Sequence, residues 1–293
     1  MIVVTGENVV DLIPQPDGAL RPALGGGPAN IAVAVARLGA PVAMAARLGG
    51  DTFGAAFRRR ITQSTVDGRY LRDTADQSTL ALATIAENGS ARFDFWHHGA
   101  ADFGWQDGEL PVLDAGDLAH IGSLAAFLPP GADAIERWAA GLRPQCTVTF
   151  DPNLRPISMA QPGALERLER MVALADVVKV SDDDLRLAHP SVPVEETARR
   201  WASGAGPRLV LLTRGSAGIT AFTATGEQAV PAPRVSVVDT IGAGDAAMGA
   251  VLVCLHQRNT VDLEYVVTVA ALACTRAGAD APTAAEVEAF SRP

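Results

Sequence analysis

The chain is expected to fold as an α/β domain with a mostly parallel sheet covered on both faces and a second, small β-sheet projecting from it. Three observations predict this. From about residue 117 onward, short apolar strand patterns alternate with helical stretches, the signature of a parallel sheet between helix layers. Residues 66–96 run instead as short strand-like pieces with the character of a meander. The 293 residues, 48% hydrophobic and 19% charged, suffice for one large core and do not suit a disordered chain.

The elements follow in order. Ile2-Val3-Val4 reads as a first strand rather than a signal peptide, because no basic segment precedes it and no cleavage site follows. Val9-Val10-Asp11-Leu12-Ile13 is a second apolar run, with Asp11 taken to follow a strand. The glycine turn Gly25-Gly26-Gly27-Pro28-Ala29-Asn30 leads into an alanine-rich helix from Ile31 to Leu38, closed by Gly39. Pro41 to Leu48 is the next strand and Thr52 to Ser64 the next helix. Tyr70-Leu71, residues 79–85 and residues 91–96 are assigned to the projecting sheet, with Asn88-Gly89 as its hairpin turn. Beyond residue 117, strands are expected at 118–121, 146–150, 177–180, 209–213 and 219–222, and helices at 131–141, 163–174, 194–203, 243–256 and 261–276. Val235-Ser236-Val237-Val238 is β-branched and reads as one more strand.

Composition narrows the function. A net charge of −9 argues against a nucleic-acid partner, and no apolar run reaches the roughly 20 residues of a membrane span. Three unevenly spaced cysteines, Cys146, Cys254 and Cys274, suggest free core thiols in a reducing compartment, so the cytoplasm is the expected location. Lys179 is the only lysine among the 24 Lys and Arg residues. Its context, Val177-Val178-Lys179-Val180-Ser181, matches neither a Walker A loop nor a protein-kinase lysine. Phosphate, if handled here, must meet backbone N–H groups and arginines.

The most informative segment is Asp239-Thr240-Ile241-Gly242-Ala243-Gly244-Asp245. Two glycines stand at a helix start, where unpaired N–H groups and the helix dipole attract an anion. An Asp at that point suits a general base acting on a hydroxyl beside a phosphate. Gly242 to Ala247 also fits the dinucleotide pattern G-x-G-x-x-A, although an Asp inside the loop would repel a pyrophosphate. The Gly25–Gly27 turn lets backbone approach a ligand, or it is simply a tight connection. Asn30 is a ligand contact or a helix cap. Asp11 can hold sugar hydroxyls or be a surface carboxylate. Thr213-Arg214-Gly215-Ser216-Ala217-Gly218 follows a strand and can face nucleotide phosphates, or turn into the next strand. Ser181-Asp182-Asp183-Asp184 caps a helix, and Asp184 can also help place a hydrated magnesium. His97 and His98, adjacent on a strand, would point apart.

Taken together these residues resemble the ribokinase-like (PfkB) family of sugar and nucleoside kinases over nearly the whole chain. The resemblance is carried by two glycine signatures in the right order, over 200 residues apart: Gly25 to Asn30 and Asp239 to Asp245. It implies a single domain over 1–293, a three-layer α/β/α body with a mostly parallel central sheet and a small β-sheet lid drawn mainly from 8–24 and 66–98. It implies that Asp245 is the catalytic base and that the N–H groups of Gly242, Ala243 and Gly244 form the anion hole. Asp11, Gly26, Gly27 and Asn30 align with substrate positions, and Thr213, Gly215 and Gly218 with the nucleotide loop. Asp239 aligns with a residue near an activating monovalent cation, usually potassium. Asp184 aligns with the magnesium-linked motif, which many relatives write Asn-x-x-Glu. ATP, Mg2+ and K+ are the implied cofactors, and a small sugar the implied partner. Gly6-Glu7, Asp151-Pro152-Asn153-Leu154-Arg155 and the 273–279 segment look most like fructokinases, and Pro28 points away from ribose. Other family substrates are 2-keto-3-deoxygluconate, ribose or a nucleoside, the last with Phe95 and Trp96 as a base floor. A non-catalytic sugar sensor and a nicotinamide oxidoreductase are the competing classes. The apolar face of a small open sheet needs cover, which makes the lid a candidate homodimer surface.

Overall fold

The computed structural model describes residues 1–85, 91–143 and 145–291. Its first half comprises β1 (Ile2–Thr5), β2 (Val9–Pro14), β3 (Leu20–Leu24), α1 (Gly27–Arg37), β4 (Val42–Leu48), α2 (Thr52–Gln63), β5 (Asp67–Asp73), β6 (Thr79–Ile85) and β7 (Ala91–Trp96). There follow β8 (Leu118–Gly122), α3 (Ala132–Leu142), β9 (Thr147–Asp151), α4 (Pro156–Met159), α5 (Ala164–Leu174), β10 (Val177–Ser181), α6 (Asp182–Ala188) and α7 (Val194–Ser203). The chain closes with β11 (Leu209–Thr213), β12 (Ile219–Thr223), β13 (Gly226–Val230), α8 (Ala243–Arg258), α9 (Leu263–Ala273) and α10 (Ala284–Ser291).

Nine strands form one sheet in the order β13-β12-β11-β10-β9-β8-β1-β4-β5, parallel from β11 to β5 and antiparallel at the β12 and β13 edge. Period-2 alternation divides its side chains between two cores. Ile2 and Val4 of β1 face the side of α1, α8 and α9, where Ile31, Val35, Val251 and Val266 pack. Val3 faces the other side, with Ile135, Leu168 and Trp201 of α3, α5 and α7. Both faces of the parallel strands are thus dry, which is why they read as continuous apolar runs.

A second sheet, ordered β3-β2-β6-β7, stands apart from the first. Asp102, itself buried, fastens its roots: Oδ1 accepts the Asn8 N–H at 2.7 Å, and Oδ2 accepts the Thr79 Oγ1–H at 2.7 Å. Asp51 caps α2 through the N–H groups of Phe53 and Gly54 and also accepts the Ser78 N–H, which ties that helix to the start of β6.

Several expectations need correction. Tyr70-Leu71 does not belong to the small sheet: it lies in β5, parallel to β4 in the large one, with Ala45 opposite Tyr70. The all-buried strand β4 needs a partner on its outer edge, and the crossover through α2 delivers the next segment there as a parallel strand. Val235 to Val238 is not a strand. No sheet edge reaches it, Val237 and Val238 are about two-thirds exposed, and the Val238 N–H donates to the Cys274 carbonyl. Asp11 lies within β2, not after it, opposite Ala23 and Ala81. His97 and His98 follow β7 in a turn, and their rings stack 4.1 Å apart instead of diverging. The Asn88-Gly89 turn lies outside the described residues, although β6 and β7 on either side pair antiparallel. Helix α1 starts four residues before the expected Ile31, because Pro28 at the first turn lacks only an N–H that the helix would leave unpaired.

Candidate active site

Every parallel strand ends on the same edge of the large sheet, and the polar clusters expected there converge on it. The N-termini of α1 and α8, neighbours on one face, bring the two glycine signatures together. Asn30 in the first turn of α1 donates from Nδ2 to Oδ2 of Asp245 in the first turn of α8, at 2.8 Å across 215 residues of sequence. Gly27 has no room for a side chain: a Cβ there would lie 2.9 Å from Asn153 Nδ2 and 3.4 Å from Asp245 Oδ1. Gly26 takes φ +93°, and a Cβ there would meet the Glu7 carbonyl oxygen at 2.7 Å. Of the di-glycine turn, Gly27 presents bare backbone to Asp245 and Asn153, while Gly26 packs against the backbone of Glu7 to Val9.

Asp245 is held against competing forces. Burial raises its pKa, while the Asn30 hydrogen bond and the charges of Lys179, Arg155 and Arg60 pull it back down. Gly242, at φ +77°, turns the chain into α8. The Ala243 N–H donates to the Thr240 carbonyl at 3.3 Å, whereas among the described residues no acceptor is bonded to the N–H of Gly242 or Gly244. Of the three expected anion-hole donors, the free ones flank Ala243. Replacing Gly242 with Ala is expected to lower kcat at least about tenfold. Its Cβ would sit 2.7 Å from Ala279, at a φ that suits glycine. Phosphotransfer assays on folded G242A check this, and wild-type kcat would remove the loop from the chemistry.

Asp11 faces the same space. Burial raises its pKa to about 6, opposed by the charge of Arg155. The charge of Arg155 favours the ionised form of both Asp11 and Asp245. Beside it Asn153, at φ +40°, donates to Ser123 Oγ at 3.2 Å.

Beneath the loop lies an ion pair that sequence motifs did not mark. Lys179 Nζ meets Asp151 Oδ2 at 2.9 Å, and both side chains are at most 5% exposed. Burial lifts the Asp151 carboxyl to about 6 in spite of Lys179. Burial pulls the Lys179 ammonium down, but the carboxylates of Asp151, Asp184 and Asp245 overcome this and leave it above its ordinary value. The same ammonium lies 3.7 Å from where a Gly244 Cβ would be, so the chain's only lysine puts positive charge under the α8 N-terminus.

Asp184 has its carboxylate engaged. Oδ2 accepts Ser181 Oγ–H at 2.6 Å and Ser181 N–H at 2.9 Å, and Oδ1 accepts the Leu154 N–H at 2.6 Å. It caps α6 and holds the 151–155 segment, with only spare lone pairs left for a hydrated ion. Thr213 ends β11 in register with Ser181, and Gly215 and Gly218 carry positive φ in the loop beyond it. Asp239 lies between two loops. Burial works against its charge, yet the N–H groups of Gly278, Ile241 and Thr240 hold its carboxyl below the usual range. Its oxygens therefore accept N–H groups from both loops, Oδ1 from Ile241 at 3.0 Å and Oδ2 from Gly278 at 2.8 Å. Sequence reasoning missed Arg60, Ser123 and the role of Lys179; only the adjacency of Asp151-Pro152-Asn153 to a strand end hinted at that group.

Comparison with known proteins completes the picture. The pfkB family carbohydrate kinase profile matches residues 1–286. The chain is 35% identical to the fructokinase of Klebsiella pneumoniae over 295 residues, covering 95% of this chain and 94% of that one. Its fold is similar to that of fructokinase from Vibrio cholerae O395 in the fructose-, ADP- and calcium-ion-bound form, with a TM-score of 0.89 at 31% identity over 99% and 98% of the two chains. A double mutant of that enzyme has a structure in the fructose-, ADP- and potassium-ion-bound form. The fold is also similar to that of aminoimidazole riboside kinase from Salmonella enterica complexed with aminoimidazole riboside and an ATP analog, with a TM-score of 0.88 at 29% identity over 99% of each chain. With a match that runs through residue 286 and both glycine signatures in contact across one site, this protein belongs to the pfkB family of carbohydrate kinases.

Proposed function

We propose that this carbohydrate kinase is an ATP-dependent fructokinase that transfers the γ-phosphoryl group to the primary 6-hydroxyl of fructose. The observation that carries the reading is the contact of Asn30 with Asp245, which sets a half-buried carboxylate at a helix start, opposite bare glycine backbone. Asp11, Asn30 and Asn153 bind the sugar hydroxyls. Asp245 accepts the proton of the attacking hydroxyl. The N–H groups of Gly242 and Gly244 stabilise the charge that develops on the transferred group, each worth roughly 3–4 kcal/mol in comparable oxyanion sites. Lys179 adds charge from below, and the charge of Arg155 favours the ionised forms of Asp11 and Asp245.

The loop from Thr213 to Gly218 receives the nucleotide, at the end of a strand in register with β10. Magnesium bound with the nucleotide would neutralise phosphate charge, and Asp184 would help hold its hydration shell. Asp239 supports a potassium ion, a reading favoured by the potassium-bound relative. The small sheet closes as a lid and keeps water from the γ-phosphate. Free thiols at Cys146, Cys254 and Cys274 agree with a reducing, cytoplasmic setting; no described helix is long and apolar enough to cross a membrane.

A second reading, a nucleoside-type riboside as acceptor, has its own support. The aminoimidazole riboside kinase is nearly as similar in fold, and β7 exposes Trp96 on one face of the small sheet, although Phe95, on the other face with Phe93, is half-buried against the core. An ATP-coupled screen of fructose, ribose, 2-keto-3-deoxygluconate, tagatose phosphate, adenosine and aminoimidazole riboside separates the two. The highest kcat/KM is expected with fructose. A riboside preferred about tenfold or more would replace the assignment, and ADP formed with none of these acceptors would overturn it.

A further inference from the structure

Arg60 stands near the end of α2, in none of the signatures. Its guanidinium donates from Nη1 to the Leu24 carbonyl at 2.9 Å and from Nη2 to Asn30 Oδ1 at 2.8 Å. Both acceptors are neutral. The Asn30 amide passes the contact on, from Nδ2 to Asp245 Oδ2 at 2.8 Å. With Oδ1 taken by a cation and Nδ2 by a carboxylate, the amide has one acceptable orientation: a flip would set donor against donor and oxygen against oxygen. Leu24 ends β3, so the two-pronged guanidinium is itself braced against the small sheet.

The electrostatics agree with the geometry. Burial lowers the pKa of Arg60, and the one charge that acts to restore it is Asp245. The effect is mutual, since Arg60 is among the charges that favour ionised Asp245. A half-buried cation bonded only to neutral oxygens is a poor device for stability alone.

We propose that Arg60 is a positioning residue for phosphoryl transfer: acting through Asn30, it locks the amide that orients Asp245 and supplies positive charge that keeps this carboxylate free to take the proton. The inference rests on the reading of Asp245 as the base. Removing the charge makes Asp245 harder to ionise, so the defect must deepen as pH falls. In the full-length chain with saturating fructose and ATP, Arg60→Gln is expected to lower kcat about tenfold at pH 6 and about threefold or less at pH 9. Arg60→Lys keeps the charge and loses a factor that is the same at both pH values. In an Asn30→Ala background the charge effect remains at pH 6, but at pH 9, where only the contact through Asn30 is left to lose, Arg60→Gln lowers kcat less than about 1.5-fold further.

A loss in Arg60→Gln that is equal at pH 6 and pH 9, or a pH 9 loss that persists undiminished in the Asn30→Ala background, overturns the proposal. If Arg60→Gln does not fold, the cycle with Asn30→Ala is run with Arg60→Lys, and additive losses in kcat overturn it equally. The underlying reading is tested apart from this by Asp245→Asn. Retained turnover there removes the base, whereas an inactive Asp245→Asn alongside additive, pH-independent Arg60 losses removes only the role of Arg60.

Discussion

Asp245→Asn is expected to lower kcat about a hundredfold or more while leaving sugar and nucleotide binding nearly intact. The substitution keeps the shape of the side chain and the hydrogen bond from Asn30 can be replaced by one to the new amide oxygen, so the pocket survives. What disappears is the acceptor for the hydroxyl proton. The wild-type enzyme carries a related signature in its pH profile. Burial raises the pKa of Asp245, and the base works only when ionised. Activity therefore falls on the acid side at a pH above the ordinary aspartate range, and this limb is expected to vanish in the Asn variant. Steady-state kinetics with independent binding measurements by calorimetry decide the matter; turnover within a few-fold of wild type would sink the assignment.

Lys179→Met is expected to cost about 3–5 kcal/mol of stability at pH 8, because it strands the Asp151 carboxylate among groups that exclude water. The sign of its pH dependence follows from burial. The pKa of Asp151 is already about 6 in the folded protein, above its unfolded value, so the folded state binds that proton more tightly. Stability tied to this group is present at low pH and lost as pH rises through the folded value. Removing Lys179 pushes that value further up, so the defect should shrink toward pH 5 and widen toward pH 8. Adding Asp151→Asn to Lys179→Met removes the stranded charge and is expected to restore most of the loss. Urea denaturation of wild type and the two variants at both pH values is the measurement. A loss below about 1 kcal/mol, unchanged between pH 5 and pH 8, would show that the pair is not the buried unit described.

Both predictions concern residues that the sequence displayed unequally. Asp245 was legible because its signals are local: a glycine turn, a helix start and a carboxylate within one turn. The di-glycine loop was legible for the same reason. Lys179 stood out only as a lysine in the wrong place for a Walker loop. Its partner Asp151 is on the neighbouring parallel strand β9, 28 residues earlier, and nothing in the sequence states which strands are neighbours. Arg60 was invisible: an arginine on a helix that carries Arg58 and Arg59 as well, picked out only when α2 packs beside the two glycine loops. The misplaced strands fail similarly. Tyr70-Leu71 and Val235-Val238 have comparable β character, yet one finds the open edge of β4 and the other finds no edge at all.

By itself the sequence determined the α/β class, the alternation that buries both faces of a parallel sheet, and the two glycine signatures with the aspartate that ends the second. These depend on spacing and backbone freedom, which are properties of a few consecutive residues. Only the tertiary structure decided that Asn30 reaches Asp245, that Arg60 stands behind Asn30, and that Lys179 and Asp151 pair beneath the α8 N-terminus. Those contacts span tens to hundreds of residues. They exist because strand order and helix packing bring distant strand ends to one edge, an outcome of burying the whole apolar surface at once rather than of any local preference.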